Sequence, residues 1–136
     1  MAGSFSDYAE NAILLHTFKK TAFTQATNLY VGLSKSTITD AHTGTTLPGE
    51  ISGGSYARKK CNTWTVSGTG PTKAANTAPV TFASATAAWG TAHYFFIADK
   101  TTKGNIISFG VLSADKAIAS GDTARFATAD LYTTLD

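Results

Sequence analysis

The chain has one cysteine, three prolines and three histidines in 136 residues, and only 15% of it is charged. Cys61 stands alone, which excludes an intrachain disulfide and a cysteine-built zinc site. A single thiol also fits folding in a reducing cytoplasm. No apolar run approaches the ~20 residues of a membrane-spanning helix, so no membrane partner is expected. Met1-Ala2-Gly3-Ser4 lacks the basic and apolar regions of a secretory leader. The product is therefore expected to be soluble and to bypass the general secretory route. A net charge of +2, with its cations in short groups such as Lys19-Lys20 and Arg58-Lys59-Lys60, leaves no basic stripe for a phosphate backbone. Nucleic acid is not an expected partner.

Groups for catalysis are equally scarce. His16, His42 and His93 fall in no metal-ligand spacing such as H-E-x-x-H. Asp99, Asp115, Asp122 and Asp130 all lie beside predicted turns, where an aspartate bonds its own backbone. Ser67-Gly68-Thr69-Gly70-Pro71 has neither the lysine nor the following helix of a phosphate-binding loop, and no G-x-S-x-G elbow occurs. Cys61 follows three cations that favour a thiolate, yet a small hydrophobe in a strand is its ordinary role. No catalytic residue, cofactor or metal is expected, and the chain reads as a protein other than an enzyme.

What the sequence does contain is threonine and alanine, together roughly a third of the residues and far above ordinary usage. Threonine suits a pleated surface, where its methyl packs and its hydroxyl stays wet. One helix is readable, Asp7 to Lys20. Ser6 and Asp7 are N-cap types, Asp7 and Glu10 have the capping-box spacing, and Tyr8, Ala12, Leu15 and Phe18 recur at helical intervals. It is expected to be amphipathic, packed on a sheet or a neighbouring subunit.

Strand signals follow. Leu29, Val31 and Leu33 alternate; Ser55 to Val66 reads as one or two strands; Val80-Thr81-Phe82 is a short one. Ala92 to Ala98 is nearly all apolar, the pattern of a strand buried on both faces. A turn over residues 99–104 leads into a return strand from Asn105 to Leu112. Lys116 to Ala119, Thr123 to Ala127 and Leu131 to Leu135 supply the rest. Two polar segments, Lys35 to Gly54 and Ser67 to Asn76, read as loops, the first long enough to be ordered by a partner. No internal repeat is evident. The expected fold is a mainly β single domain over residues 1–136, an antiparallel sandwich or barrel with one N-terminal amphipathic helix. Trp64 and Trp89 border loops and read as interface anchors. With Tyr8, Leu15 and Phe18 of the helix and the cations Arg58, Lys59 and Lys60, they make up the expected interaction surface.

Several segments, in order along nearly the whole chain, carry a resemblance. They are Ser6 to Asn11, Asn28 to Leu33, Gly53 to Arg58, Val80 to Gly90, Gly104 to Ile107, Ser120 to Asp122 and Ala129 to Leu131. Together they resemble small virion proteins of tailed bacteriophages, labelled tail-fibre proteins or head decoration (cement) proteins; Lys59 to Asn62 departs from the strand pattern. The resemblance implies a structural role in the virion, reached from the host cytoplasm, and a symmetric homo-oligomer, with a trimer favoured. Fibres usually carry elongated repeats or coiled coils, which this chain lacks. The leading expectation is therefore a decoration protein bound to the major capsid protein. A tail-fibre or baseplate component is the alternative, and a carbohydrate- or receptor-binding module using Trp64 or Trp89 a further one.

Overall fold

The computed structural model describes residues 1–68 and 72–135. Along the chain run β1 (Ala2–Phe5), α1 (Asp7–Phe18), β2 (Tyr30–Ser34), β3 (Lys59–Lys60), β4 (Trp64–Ser67), β5 (Thr72–Asn76), β6 (Val80–Thr81), β7 (Gly90–Ala98), β8 (Ile106–Ile118), β9 (Arg125–Phe126) and β10 (Tyr132–Leu135). Eight strands form one sheet in the order β3-β2-β7-β8-β1-β10-β5-β4, and β6 and β9 pair separately. The expected mainly β fold with one N-terminal helix is the one formed.

The sheet curls because its two outermost strands belong to one segment. Only Cys61, Asn62 and Thr63 separate β3 at one edge from β4 at the other. Within that link the Cys61 N–H donates to Leu29 O at 2.8 Å, on the β2 side, and Thr63 O accepts from the Thr77 N–H at 2.9 Å, on the β5 side. Residues 59–67 thus form a bent strand that leaves one edge and joins the other, giving the sheet a barrel-like closure. The register that Lys59 to Asn62 leaves open in the sequence is resolved by this crossing. Among the described residues the pairings are antiparallel except for one: β1 runs parallel to β10, with Ala2 opposite Tyr132 and Gly3 opposite Thr133. That corrects the purely antiparallel expectation and adds β1, a strand the sequence did not announce.

Inside the curl lie Val31, Leu33, Phe95, Ile97, Leu112, Ile118 and Leu131, closed over at one end by Val80, Phe82, Trp89 and Phe126. On the other face of the sheet Phe96, Ala98 and Ile106 pack with Ile38. β7 is therefore buried on both faces, as its apolar run predicts. Gly32 is needed beneath Phe96, since a Cβ there would come within 2.2 Å of the ring.

Several boundaries differ from expectation. α1 ends at Phe18, with Ser6 as N-cap accepting from the Ala9 N–H at 3.3 Å. Ala9 rather than Glu10 occupies the third helical position, so no capping box forms. Lys116 to Ala119 is no separate strand; β8 continues to Ile118 after an irregularity in which Ala92 and Tyr94 of β7 face Lys116 and Val111. In the expected loop from Ser67 to Asn76, Thr72–Asn76 is β5, paired with both β4 and β10. Thr69-Gly70-Pro71 of that loop lie outside the described residues. The segment from Lys35 to Gly54 is not left for a partner to order. Ile38 and Ile51 are each 2% exposed in the two apolar clusters, and Ser34 Oγ donates to Pro48 O at 2.6 Å.

Because this segment supplies core side chains, truncating them should act on folding. Ile38→Ala and Ile51→Ala should each cost about 2–5 kcal/mol in urea unfolding. Values within about 0.5 kcal/mol of wild type, the range of surface substitutions, would show that the segment is peripheral.

Candidate functional site

The eight residues expected to form an interaction surface divide between interior and exterior. Arg58 is interior: its side chain is 1% exposed and grips Glu50, with Nε 2.7 Å from Oε1 and Nη2 donating to Oε2 at 2.9 Å. Nη1 donates to Lys100 O and Lys103 O, both at 2.9 Å, and the guanidinium stands 5.0 Å over the Phe96 ring. A planar five-donor group suits this position, where one carboxylate, two carbonyls and a ring converge. Arg58 pins the turn after β7 and the end of the long loop to the sheet; it is no interface residue. Trp89 is likewise corrected. It is 3% exposed, meets Tyr56 and Phe82 edge to face, and donates its indole N–H to Gly54 O at 2.8 Å. Trp64 is half-buried against the core, its indole N–H spent on Cys61 O at 2.9 Å. Neither tryptophan presents the open ring expected of a carbohydrate platform.

Lys59 and Lys60 stay exposed on β3. On α1 only Ala9 is fully buried; Tyr8 is exposed and Leu15 half-buried. Leu14 and Phe18, four residues apart and hence on one face of the helix, are 56% and 78% exposed. The helix thus carries apolar side chains outward, so of the two expected coverings, a sheet or a neighbouring subunit, the sheet does not cover this part of the stripe. Ser6 instead ties its start to β8, with the Ser6 N–H donating to Ile107 O at 3.0 Å and its hydroxyl to Ile106 O. A groove of about 330 Å³ lies beside the helix, lined by Tyr8, Phe23, Asn28 and Ile107 among others.

Titratable groups mostly serve turns. Asp99, Asp122 and Asp130 accept backbone N–H groups of Asn105, Ala119 and Ala127, as expected of turn aspartates. Asp115 does not: it rides the irregular stretch of β8 and places Oδ1 2.7 Å from His93 Nδ1. Asp115 also lines an open pocket of about 450 Å³ that includes Leu33, Leu112 and Phe126 together with Lys116 and Arg125. The imidazoles of His16 and His42 accept the N–H groups of Phe23 and Thr39. Among the described residues no three His, Cys, Asp or Glu side chains gather into a metal-binding set. Cys61 is buried, which pushes its thiol up, against the opposing Thr63 N–H. Burial likewise pushes the Tyr56 hydroxyl well above the usual tyrosine range. The Leu33 N–H that it accepts and nearby Arg58 oppose the shift, whereas Glu50 adds to it.

The family model described as Podophage GP4 fiber I protein gp80 matches residues 4–134, from within β1 to within β10. No curated protein matches the chain.

Two tests separate interior from surface. Glu50→Ala strands the Arg58 guanidinium and should cost about 3–5 kcal/mol. Lys59→Ala and Lys60→Ala should each stay within about 0.5 kcal/mol; equal costs for all three would place Arg58 on the surface. The second is alkaline. The native state holds the Cys61 and Tyr56 protons to higher pH than the unfolded chain does, so their contribution is complete below the ordinary thiol and phenol ranges and is lost as pH rises through them. The urea midpoint should fall from about pH 8 to about pH 11, less steeply in a Cys61→Ala, Tyr56→Phe double variant. Parallel curves for the two proteins would remove these groups as the cause.

Proposed function

The chain belongs to the family described as Podophage GP4 fiber I protein gp80, which makes it a structural component of a phage virion, and from that premise we propose that it serves, without catalysis, in a podophage tail fibre. The observation that carries this reading is the extent of the match. Residues 4–134 take in the barrel, the helix and the small second sheet, so the fibre role belongs to the whole domain rather than to an appended segment.

The tail-fibre alternative thereby takes precedence over head decoration, and neighbouring fibre or tail proteins replace the major capsid protein as the proposed partner. Missing repeats and coiled coils had tilted the expectation toward the head. A fibre built of small globular units needs neither, because its length comes from subunit contacts. Two features support a scaffold role. The interior polar groups are committed to the fold, Arg58 to Glu50 and Asn76 to Ala78 O, Ala127 O and the Leu131 N–H. The apolar residues Leu14 and Phe18 are held outward on a helix, the kind of rigid element that anchors an interface.

Particle fractionation tests the reading. Tails separated from heads should retain the protein, and antibody-gold labels on intact particles should lie at the tail. Particles lacking it should hold DNA to the same temperature as wild type yet adsorb poorly to the host. Protein retained on tail-free heads and absent from tails would overturn the fibre assignment in favour of head decoration.

A further inference from the structure

The β7–β8 hairpin loses its regular register near the end of the barrel interior. Between the pairs Ala92–Lys116 and Tyr94–Val111, β7 spends only His93 where β8 spends Leu112, Ser113, Ala114 and Asp115. An excess of this kind bends a strand away from its partner, and bulges gather at barrel rims and beside binding sites. Each of these β8 residues lines the pocket of about 450 Å³, a volume within the ~300–1,000 Å³ of small-molecule sites. The irregularity therefore forms one wall of the pocket.

The lining is divided by chemistry. Leu33, Leu112, Ile118 and Phe126 are buried members of the main core cluster. None offers a hydrogen-bonding side chain, so the hydroxyls of a sugar would go unpaired against them. The charged lining residues Asp115, Lys116, Arg125 and Asp130 are exposed, which puts them at the mouth. Their partners differ by sign. Asp115 Oδ1 lies 2.7 Å from His93 Nδ1, and Asp130 Oδ2 accepts the Ala127 N–H at 2.9 Å. The Met1 amino group, also in the lining, donates to Asp130 O at 2.7 Å. Lys116 and Arg125 form no ion pair among the described residues.

We propose that this pocket binds a free amphiphilic anion, an apolar carbon body with one anionic head group, as in a fatty acid. The body displaces water from Leu33, Leu112 and Phe126. The head group stays at the mouth, where Lys116 and Arg125 gain the charged partner that the fold does not supply. Lys116 stands on β8 of the large sheet and Arg125 on β9 of the small one. An anion held by both ties the two sheets together and stabilises the fold by mass action. The inference is independent of where on the virion the protein sits.

Binding is read on the full chain with octanoate by calorimetric titration and with the dye anilinonaphthalene sulfonate by fluorescence. Wild type should take up octanoate saturably, octanoate should displace the dye, and saturating octanoate should raise the melting temperature. Octylamine, the same body with a cationic head, should not displace the dye, nor should glucose. Vesicles of phosphatidylglycerol should not either, which separates a free ligand from a membrane surface. Lys116→Ala and Arg125→Ala should each weaken octanoate binding by about tenfold. Both side chains are exposed, so unfolding without ligand should be unchanged. Ala114→Trp, at an exposed lining position, should block the pocket, and Phe18→Lys on the helix should leave binding as it is. Absence of saturable uptake by wild type would overturn the proposal, as would displacement by octylamine, glucose or vesicles equal to that by octanoate. So would an octanoate affinity that survives loss of both cations, or one that falls with Phe18→Lys and not with Ala114→Trp.

Discussion

The fold turns on three residues. Cys61, Asn62 and Thr63 carry the chain from one edge of the sheet to the other, and a sheet whose edges are three residues apart in sequence has to curl. Everything inside the curl depends on that step. Phe95, Ile97 and Leu131 are buried because the strands that bear them are bent around a common interior. The crossing is fixed by main-chain hydrogen bonds to Leu29 and Thr77, and by side chains that are polar yet local: Asn62 accepts from the Leu29 N–H at 2.8 Å and donates to Asn28 Oδ1 at 2.8 Å. Cys61 is buried there as a small neutral side chain, consistent with a thiol that holds its proton.

Curling the sheet leaves its outer face to be covered, and β7 makes the cost of leaving it bare high. Phe96 and Ala98 point away from the barrel interior, and apolar surface on that side has to be hidden from water. The residues between β2 and β3 do this. Ile38 drops onto the outer cluster, Ile51 reaches the inner one, and Glu50, next to Ile51 in sequence, holds Arg58 over Phe96. A buried ion pair is a weak source of stability beside a well-packed apolar alternative, but once built it is intolerant of losing one partner. Arg58 compensates through geometry, with four hydrogen bonds to Glu50 and to the carbonyls of Lys100 and Lys103.

Periodicity revealed the elements whose state is local. The start of α1, the alternation in β2, the two-sided burial of β7 and the hairpin into β8 were legible because each carries its own apolar period and turn residues. β1 and β5 were not. Ala2–Phe5 is too short to show a period, and Thr72–Asn76 is polar and small, so both are strands only because neighbours pair with them. Strand state of that kind is tertiary context rather than propensity. The isolated Ile38 and Ile51 in a polar segment were the available sign that it packs inward. Arg58 looked like the first member of a charge run, but its partner Glu50 lies eight residues earlier, and nothing in Lys59 or Lys60 marks the difference. Trp89 borders a loop in sequence, yet the carbonyl that satisfies its indole belongs to Gly54, thirty-five residues away.

The same subtraction bears on function. Composition suited a solvated sheet face and a surface made to lie against protein alike, and neither separates a shell-bound subunit from a fibre subunit; family membership is what favours the fibre. What the fold adds is a shorter account of the exterior. With Arg58 and Trp89 assigned to the interior and Trp64 half-buried, the exposed large apolar side chains among the described residues are Tyr8, Leu14 and Phe18 on the helix and Val66, Val111 and Leu135 on strands. These differ in kind. A helix face offers side chains only, and a partner is recognised by shape, whereas a strand end also offers main-chain donors and acceptors that any extended segment satisfies. Lys59 and Lys60 guard the β3 edge against that general affinity, and β4 carries no charge that would do the same.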